Sequence, residues 1–138
     1  MIDIKIDNLF VVLNQIERLQ QGVENRYLLM RVLSGSMHTA VLMNFRRGGR
    51  PKWLGLEYRH GKPLIDSGAL RGSISSMADN DTALVGTNME YAAIHNFGGM
   101  AGRNRKVRIP QREFMTLTND DKQGLMDDVQ TYFQNLIK

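Results

Sequence analysis

The sequence contains no cysteine. This excludes a disulfide framework, a thiolate zinc site and a cysteine nucleophile, and it fits a reducing compartment. Aromatic residues make up only 7% of the chain, and no apolar run approaches the length of a membrane span. The opening MIDIKIDNLF has no basic segment followed by a long apolar run, so no signal peptide is expected. Catalytic spacings are missing too. His38, His60 and His95 lie in separate segments without HExxH context, and Glu57 and Asp66 are lone carboxylates. Asp120-Asp121 and Asp127-Asp128 read as a solvated helix face rather than a metal site. The run from Gly55 to Gly61-Lys62 resembles a phosphate loop only superficially: the spacing between its glycines is one residue too long, and Pro63 stands where a metal-binding Ser or Thr is needed. The expectation is a soluble, intracellular, non-enzymatic protein with no cofactor, no metal and no membrane partner.

What is present is a chain of 138 residues, 42% of them apolar, enough for one domain (1–138) with a real core. The formal net charge of +4 is unevenly placed. Arg46–Arg71 carries seven basic and two acidic residues, Arg103–Arg112 five basic and none acidic, and Glu113–Lys138 five acidic and two basic. Such asymmetry points to charged partners: nucleic acid, or copies of the chain itself.

The central stretch is Leu84–Gly99, LVGTNMEYAAIHNFGG. Leu84 and Val85 are strand formers, and Gly86-Thr87-Asn88 is a turn. Tyr91, Ile94 and His95 recur at helical spacing, and Gly98-Gly99 ends that helix. His95 reads as a packing or interface residue rather than a ligand.

On the N-terminal side, Ile2, Ile4 and Ile6 alternate with polar residues as a short strand, with Asp7 or Asn8 capping the helix after it. Helical pattern then runs to about Phe45. Leu9, Leu13, Ile16, Val23, Tyr27, Met30, Met37 and Val41 fall on one stripe of a long helix, or of two broken near Gly22. The stripe predicts core packing, with part of it left for a neighbouring subunit. Met30, Met37 and Met43 are flexible gap-fillers that suit either role. Two glycines and Pro51 end the helix, and Trp53, the single tryptophan, anchors the following loop. Asp66 or Ser67 caps a turn through Leu70. Ser73–Met77 and Thr82–Gly86 pair as strands around Asp79-Asn80-Asp81.

On the C-terminal side, Met100–Arg108 is small, basic and aperiodic, an exposed loop. Arg103, Arg105, Lys106 and Arg108 admit three readings: solvated surface, salt-dependent phosphate contact, or docking onto an acidic protein surface. No aromatic is interleaved, so base stacking is not implied. Val107–Pro110 reads as an edge strand. Thr118 or Asn119 caps the last helix, with Asp120 and Asp121 in its first turn and Leu125, Val129, Phe133 and Leu136 on its buried stripe.

Four elements of the sequence carry a resemblance. Arg50-Pro51-Lys52-Trp53-Leu54 is similar to a proline–tryptophan element that follows a long N-terminal helix. Leu64–Ile74, LIDSGALRGSI, resembles a "TG-x-L-x-x-SI" element. Val85-Gly86-Thr87 with Tyr91–Gly98, YAAIHNFG, is the closest match. Ile109–Phe114, IPQREF, resembles "IP-x-RPF". In this order they resemble the phage Mu G-like virion morphogenesis and tail completion family. Ser67, Asn96 and Glu113 depart from the usual threonine, glutamine and second proline.

The resemblance marks Trp53, Gly68, Leu70, Gly86, Tyr91, His95, Phe97, Gly98, Pro110, Arg112 and Phe114 as structural signature residues. It implies an α+β fold similar to phage tail-terminator domains. The fold would comprise a long N-terminal helical segment, a small mostly antiparallel sheet, a short central helix and a C-terminal helix. The implied role is tail completion or head–tail joining at the neck, as a homo-oligomeric ring. Its partners would be other tail or connector proteins, with the basic loop near packaged DNA, in the host cytoplasm during assembly and in the virion. Alternatives are a tail terminator, a capsid-assembly factor or a non-specific nucleic-acid-binding protein.

Overall fold

The computed structural model describes residues 9–56, 61, 63–65 and 68–138. The expected strand Met1–Ile6, the caps Asp7, Asn8, Asp66 and Ser67, and Glu57 and His60 lie outside the described residues.

Among the described residues the chain is mixed α+β. Helices α1 (Leu9–Glu24) and α2 (Tyr27–Arg47) are followed by a short helix α3 (Ala69–Ser73) and a hairpin of β1 (Ser75–Ala78) and β2 (Ala83–Gly86). Helix α4 (Ala92–Phe97), a second hairpin of β3 (Gly99–Ala101) and β4 (Val107–Ile109), and helix α5 (Asn119–Leu136) complete it. The expected small antiparallel sheet is present as two separate two-stranded ribbons. In the first, Ser75 pairs with Gly86; in the second, Gly99 pairs with Ile109.

Helix α2 is the central element, packed on α5 and on the β1–β2 ribbon. Leu29, Ala40, Val41 and Phe45 fall on its buried stripe. Its C-terminus closes with paired glycines: Gly48 N donates to Phe45 O (3.3 Å) and Gly49 N to Asn44 O (2.7 Å), with Gly48 left-handed (φ 71°). Phe45 is fully buried, with the Trp53 ring at 5.8 Å and the Phe114 ring at 5.2 Å. Val41, Leu70, Ile74 and Ala92 complete that core. Its centre is therefore the end of α2; the stretch Leu84–Gly99 contributes Ala92 and Asn96 to its wall.

One local expectation is refined and another corrected. The first helical segment does break near Gly22, but three residues after it rather than at the glycine itself. That glycine is buried inside α1, where a Cβ would lie 2.1 Å from Leu136 Cδ1, so its missing side chain lets α5 approach. The break comes at Asn25-Arg26, and the tip of the first ribbon explains it. The Asn80 side chain accepts from Arg26 N and donates to Glu24 O (3.0 Å), joining the end of α1 to the start of α2, while Asp81 pairs with the Arg26 guanidinium. Ser73 ends α3 instead of opening a strand, its hydroxyl donating to Leu70 O (2.6 Å).

Other expectations hold. Asp79 organises the first ribbon's turn, its carboxylate accepting from Asp81 N and Thr82 N. Thr118 caps α5 with a reciprocal capping box to Asp121. Leu125, Val129, Phe133 and Leu136 are half-buried on the inner side of that helix.

Candidate functional site

The segment joining β4 to α5 is extended, so alternate side chains point inward. Arg112 and Phe114 are buried while Gln111 and Glu113 are exposed. Arg112 Nε donates to Leu54 O (3.0 Å) and Nη2 to Gly55 O (2.9 Å), fastening this segment to the loop after α2. Trp53 Nε1 donates to Glu113 O (3.2 Å) from the other side. The position where the family pattern has a second proline thus contributes its carbonyl, with the Glu113 side chain in solvent.

Two buried asparagines support the same segment. Asn96 Oδ1 accepts from Phe114 N (3.0 Å) and Met115 N (2.9 Å). Asn44, fully buried, donates through Nδ2 to Phe114 O (2.6 Å) and Thr116 O (3.0 Å). Its Oδ1 accepts from Arg50 Nε (2.7 Å). Arg50 also donates to Ala40 O (2.7 Å) and grips the Asp121 carboxylate with both terminal nitrogens (3.1 and 2.8 Å). Burial pushes the Asp121 carboxyl up, but hydrogen bonds from Thr118 and Arg50 and the Arg50 charge outweigh it and hold the group below its ordinary value.

This clasp is only partly legible in the sequence. The signature includes Trp53, Arg112 and Phe114, but sequence reasoning does not join Asn44, Arg50 and Asn96 into a polar network. The available signal is the position of Asn44, which sits on the same helical face as Met37, Val41 and Phe45. A polar residue on a buried stripe requires partners.

In front of the clasp stands the second ribbon, with the four cations of the basic loop. Arg103, Arg105, Lys106 and Arg108 are all exposed, and among the described residues none is in an ion pair. Asn104 (φ 58°) and Arg105 (φ 51°) at the tip are left-handed, an uncommon state for non-glycine residues. The ribbon therefore projects a compact positive tip. At its base, Gly98 has φ 73°, and a Cβ there would lie 2.9 Å from Gln111 N, so α4, the ribbon and the clasp segment meet through a glycine. Asp120 and Asp127 of α5 are exposed, while Asp128 accepts from Ser36 (2.6 Å) and ties α5 to α2.

The remaining signature residues take varied places. Leu70 is buried in the core, Pro110 is half-buried, and Gly68 is left-handed (φ 81°) before α3. Gly86 ends β2 with open space where a Cβ would stand. Tyr91 packs its ring edge-on to His95 at 5.8 Å yet is 43% exposed, and Phe97 is 71% exposed. These two aromatics are therefore surface features beside the ribbon. His95 accepts from Arg112 N through its carbonyl (2.8 Å), and its Nδ1 is buried without a hydrogen-bond partner among the described residues. Burial and the nearby Arg112 charge both lower its pKa, which keeps the ring neutral near pH 7.

Among the described residues, no three His, Asp or Glu side chains stand together as metal ligands, and no helix is long and apolar enough to cross a membrane. The arrangement is a buried polar clasp beside a ribbon with an exposed basic tip.

The sequence profile of the phage virion morphogenesis family matches residues 7–134. The chain is 50% identical, over all 138 residues and the full length of both proteins, to the Mu-like prophage FluMu G protein 2 of Haemophilus influenzae. No solved structure matches. With the profile spanning nearly the whole chain and the clasp built from the signature residues Trp53, Arg112 and Phe114, the chain belongs to the phage virion morphogenesis family.

Proposed function

We propose that this virion assembly protein acts in tail completion or head–tail joining at the neck, as a ring of copies of itself in which the second ribbon faces the DNA passage. The observation that carries this reading is the exposed tip of Arg103, Arg105, Lys106 and Arg108, free of ion pairs among the described residues and fastened to the core by the clasp. Cations held rigidly on a two-stranded support contact phosphates without reading sequence, which suits a part that meets DNA of any sequence. The acidic outer face of α5 gives a second copy an oppositely charged surface to meet. The protein works in the host cytoplasm during assembly and is carried into the virion, where its partners are tail and connector proteins.

The test is particle morphology from a phage or prophage lacking the gene. Filled heads beside unattached tails support neck joining; malformed capsids point to a capsid-assembly factor, and overlong tails to a tail terminator. Replacing Arg103, Arg105, Lys106 and Arg108 together by Ala should leave folding intact and lower the salt dependence of DNA binding. Each phosphate no longer neutralised takes about 0.9 off the log–log slope, so the drop is about four at most. An unchanged slope removes DNA from the role of the ribbon.

A further inference from the structure

Helix α1 presents an anomaly. Leu9, Phe10, Val11, Val12, Leu13 and Ile16 are exposed by 44, 81, 55, 40, 49 and 54%. The first five are consecutive, so at 3.6 residues per turn they cover every side of the helix. A helix apolar all round belongs in a buried setting, and a continuous patch of this size on a monomer marks an interaction site. Among the described residues, the contacts that hold α1 to its own chain fall further along. Gly22 meets Leu136, Gln15 donates to Ile137 O (3.0 Å), and Arg18 donates to Lys138 O (2.6 Å). The two helices run antiparallel, so Leu9–Leu13 extend past the end of α5 as an arm.

The same molecule has an apolar groove of about 850 Å³ under the second ribbon, lined by Leu54, Leu56, Val107, Ile109 and Pro110 with His95 at its wall. Leu54 is 67% exposed and Val107 52%. The packing partner of α1 in its own chain is α5, whereas the ribbon over the groove packs on α4. Charge matches in the same sense. Leaving out Asp121, which is paired with Arg50 of its own chain, helices α1 and α5 carry five acidic and two basic residues, and the ribbon that rims the groove carries four basic and none acidic.

We propose that the α1 arm of one copy seats in the Leu54–Ile109 groove of the next. The inference rests on the reading that the chain works as copies of itself, and it names the surfaces that join them. Arm and groove are different patches, so the contact is heterologous: repeated from copy to copy, it closes into a ring if the rotation allows. The acidic α1–α5 side of one copy then lies against the basic ribbon of its neighbour, which orients the approach.

The test uses the full chain, Phe10→Asp in the arm and Leu54→Asp in the groove, with Val107→Asp as a second groove variant if Leu54→Asp misfolds. Phe10, Leu54 and Val107 are exposed in one copy, so the circular dichroism spectrum and unfolding midpoint should match the parent chain. In sedimentation across a concentration series, the parent chain should associate beyond a dimer. Each variant alone should be monomeric, with affinity at least about 30-fold weaker, the loss typical of a central aromatic anchor. An equimolar mixture of the two variants should form a discrete heterodimer, because one intact arm and one intact groove remain between them. The proposal is overturned if the groove variant associates like the parent while the arm variant does not, which indicates arm-to-arm pairing. It is also overturned if the mixture stays monomeric or the parent chain never associates. Particle morphology tests the functional reading separately, so unattached tails with no heterodimer would reject the arm and groove while leaving neck joining standing.

Discussion

Replacing Asn44 with Ala should cost this protein a large part of its stability, because Asn44 is polar and fully buried. Its amide makes three hydrogen bonds: two from Nδ2, to Phe114 O and Thr116 O, and one to Oδ1 from Arg50 Nε. Truncation removes all three. It strands two carbonyls and one guanidinium donor in a site where Asn44 itself has no exposed area. Each buried group left unpaired costs about 1–3 kcal/mol, so the loss is about 3–5 kcal/mol after partial relaxation. Against a typical total of about 5–15 kcal/mol, that is about a fifth of the stability at the least. With a urea slope of about 1–2 kcal/mol/M for a domain this size, the unfolding midpoint should fall by about 1.5 M or more. Asn44→Asp is the informative companion. It keeps an acceptor for Arg50 but turns a carboxylate towards two carbonyls, so it should also destabilise and should recover partly on acidification. A loss below about 1 kcal/mol for Asn44→Ala would falsify the clasp as a desolvated network, because it would mean that water readily replaces the amide.

Two further outcomes follow from the same geometry. The Asp121 carboxyl is held below its ordinary value of 3.8, so its contribution is fully present above that pH and is lost as pH falls through the lowered folded value. Asp121→Asn should therefore flatten the acid limb of an unfolding-midpoint versus pH profile while lowering the midpoint at pH 7, and an unchanged acid limb would show that the Arg50 pair is not maintained in solution. Gly98→Ala should destabilise by about 2 kcal/mol or more, because φ 73° with ψ 173° is a glycine conformation and the added Cβ meets Gln111 N at 2.9 Å. Gly86→Ala, with open space at its Cβ, is the control, and equal midpoints for the two would refute the reasoning.

Local signals in the sequence were reliable where a few neighbouring residues decide the outcome. The Asx turn at Asp79, the cap of α5 at Thr118 or Asn119 and the glycine stop at Gly98-Gly99 follow from residues that act on backbone within a few positions, whereas the aperiodic loop expected over Met100–Arg108 is a paired ribbon whose basic tip is exposed. The apolar stripe of the first helical segment shows the limit. From Met30 onward its positions turn towards the core, with Met30 and Met37 half-buried and Val41 buried. In α1 the same periodicity leaves Leu9, Leu13, Ile16 and Val23 between 44 and 54% exposed. Periodicity states which residues share a face, but not whether anything in the chain covers that face.

By itself the sequence determined the α+β class, the order of most elements, the separation of basic and acidic segments, and the family through four short motifs. Tertiary structure decided what those motifs do. Arg50 and Arg112 look alike as basic residues in charged segments, yet both are turned inward because carbonyls of Ala40, Leu54 and Gly55 and the Asp121 carboxylate converge on them. Arg105 and Lys106, a few residues before Arg112 in the chain, stay in solvent because nothing converges there. The break between α1 and α2 was set by Asn80, more than fifty residues distant, and the passage of α1 through Gly22 by Leu136. The reason is common to all of these: desolvating a polar group or closing a helix–helix contact depends on atoms that only the folded chain brings within hydrogen-bond or van der Waals distance.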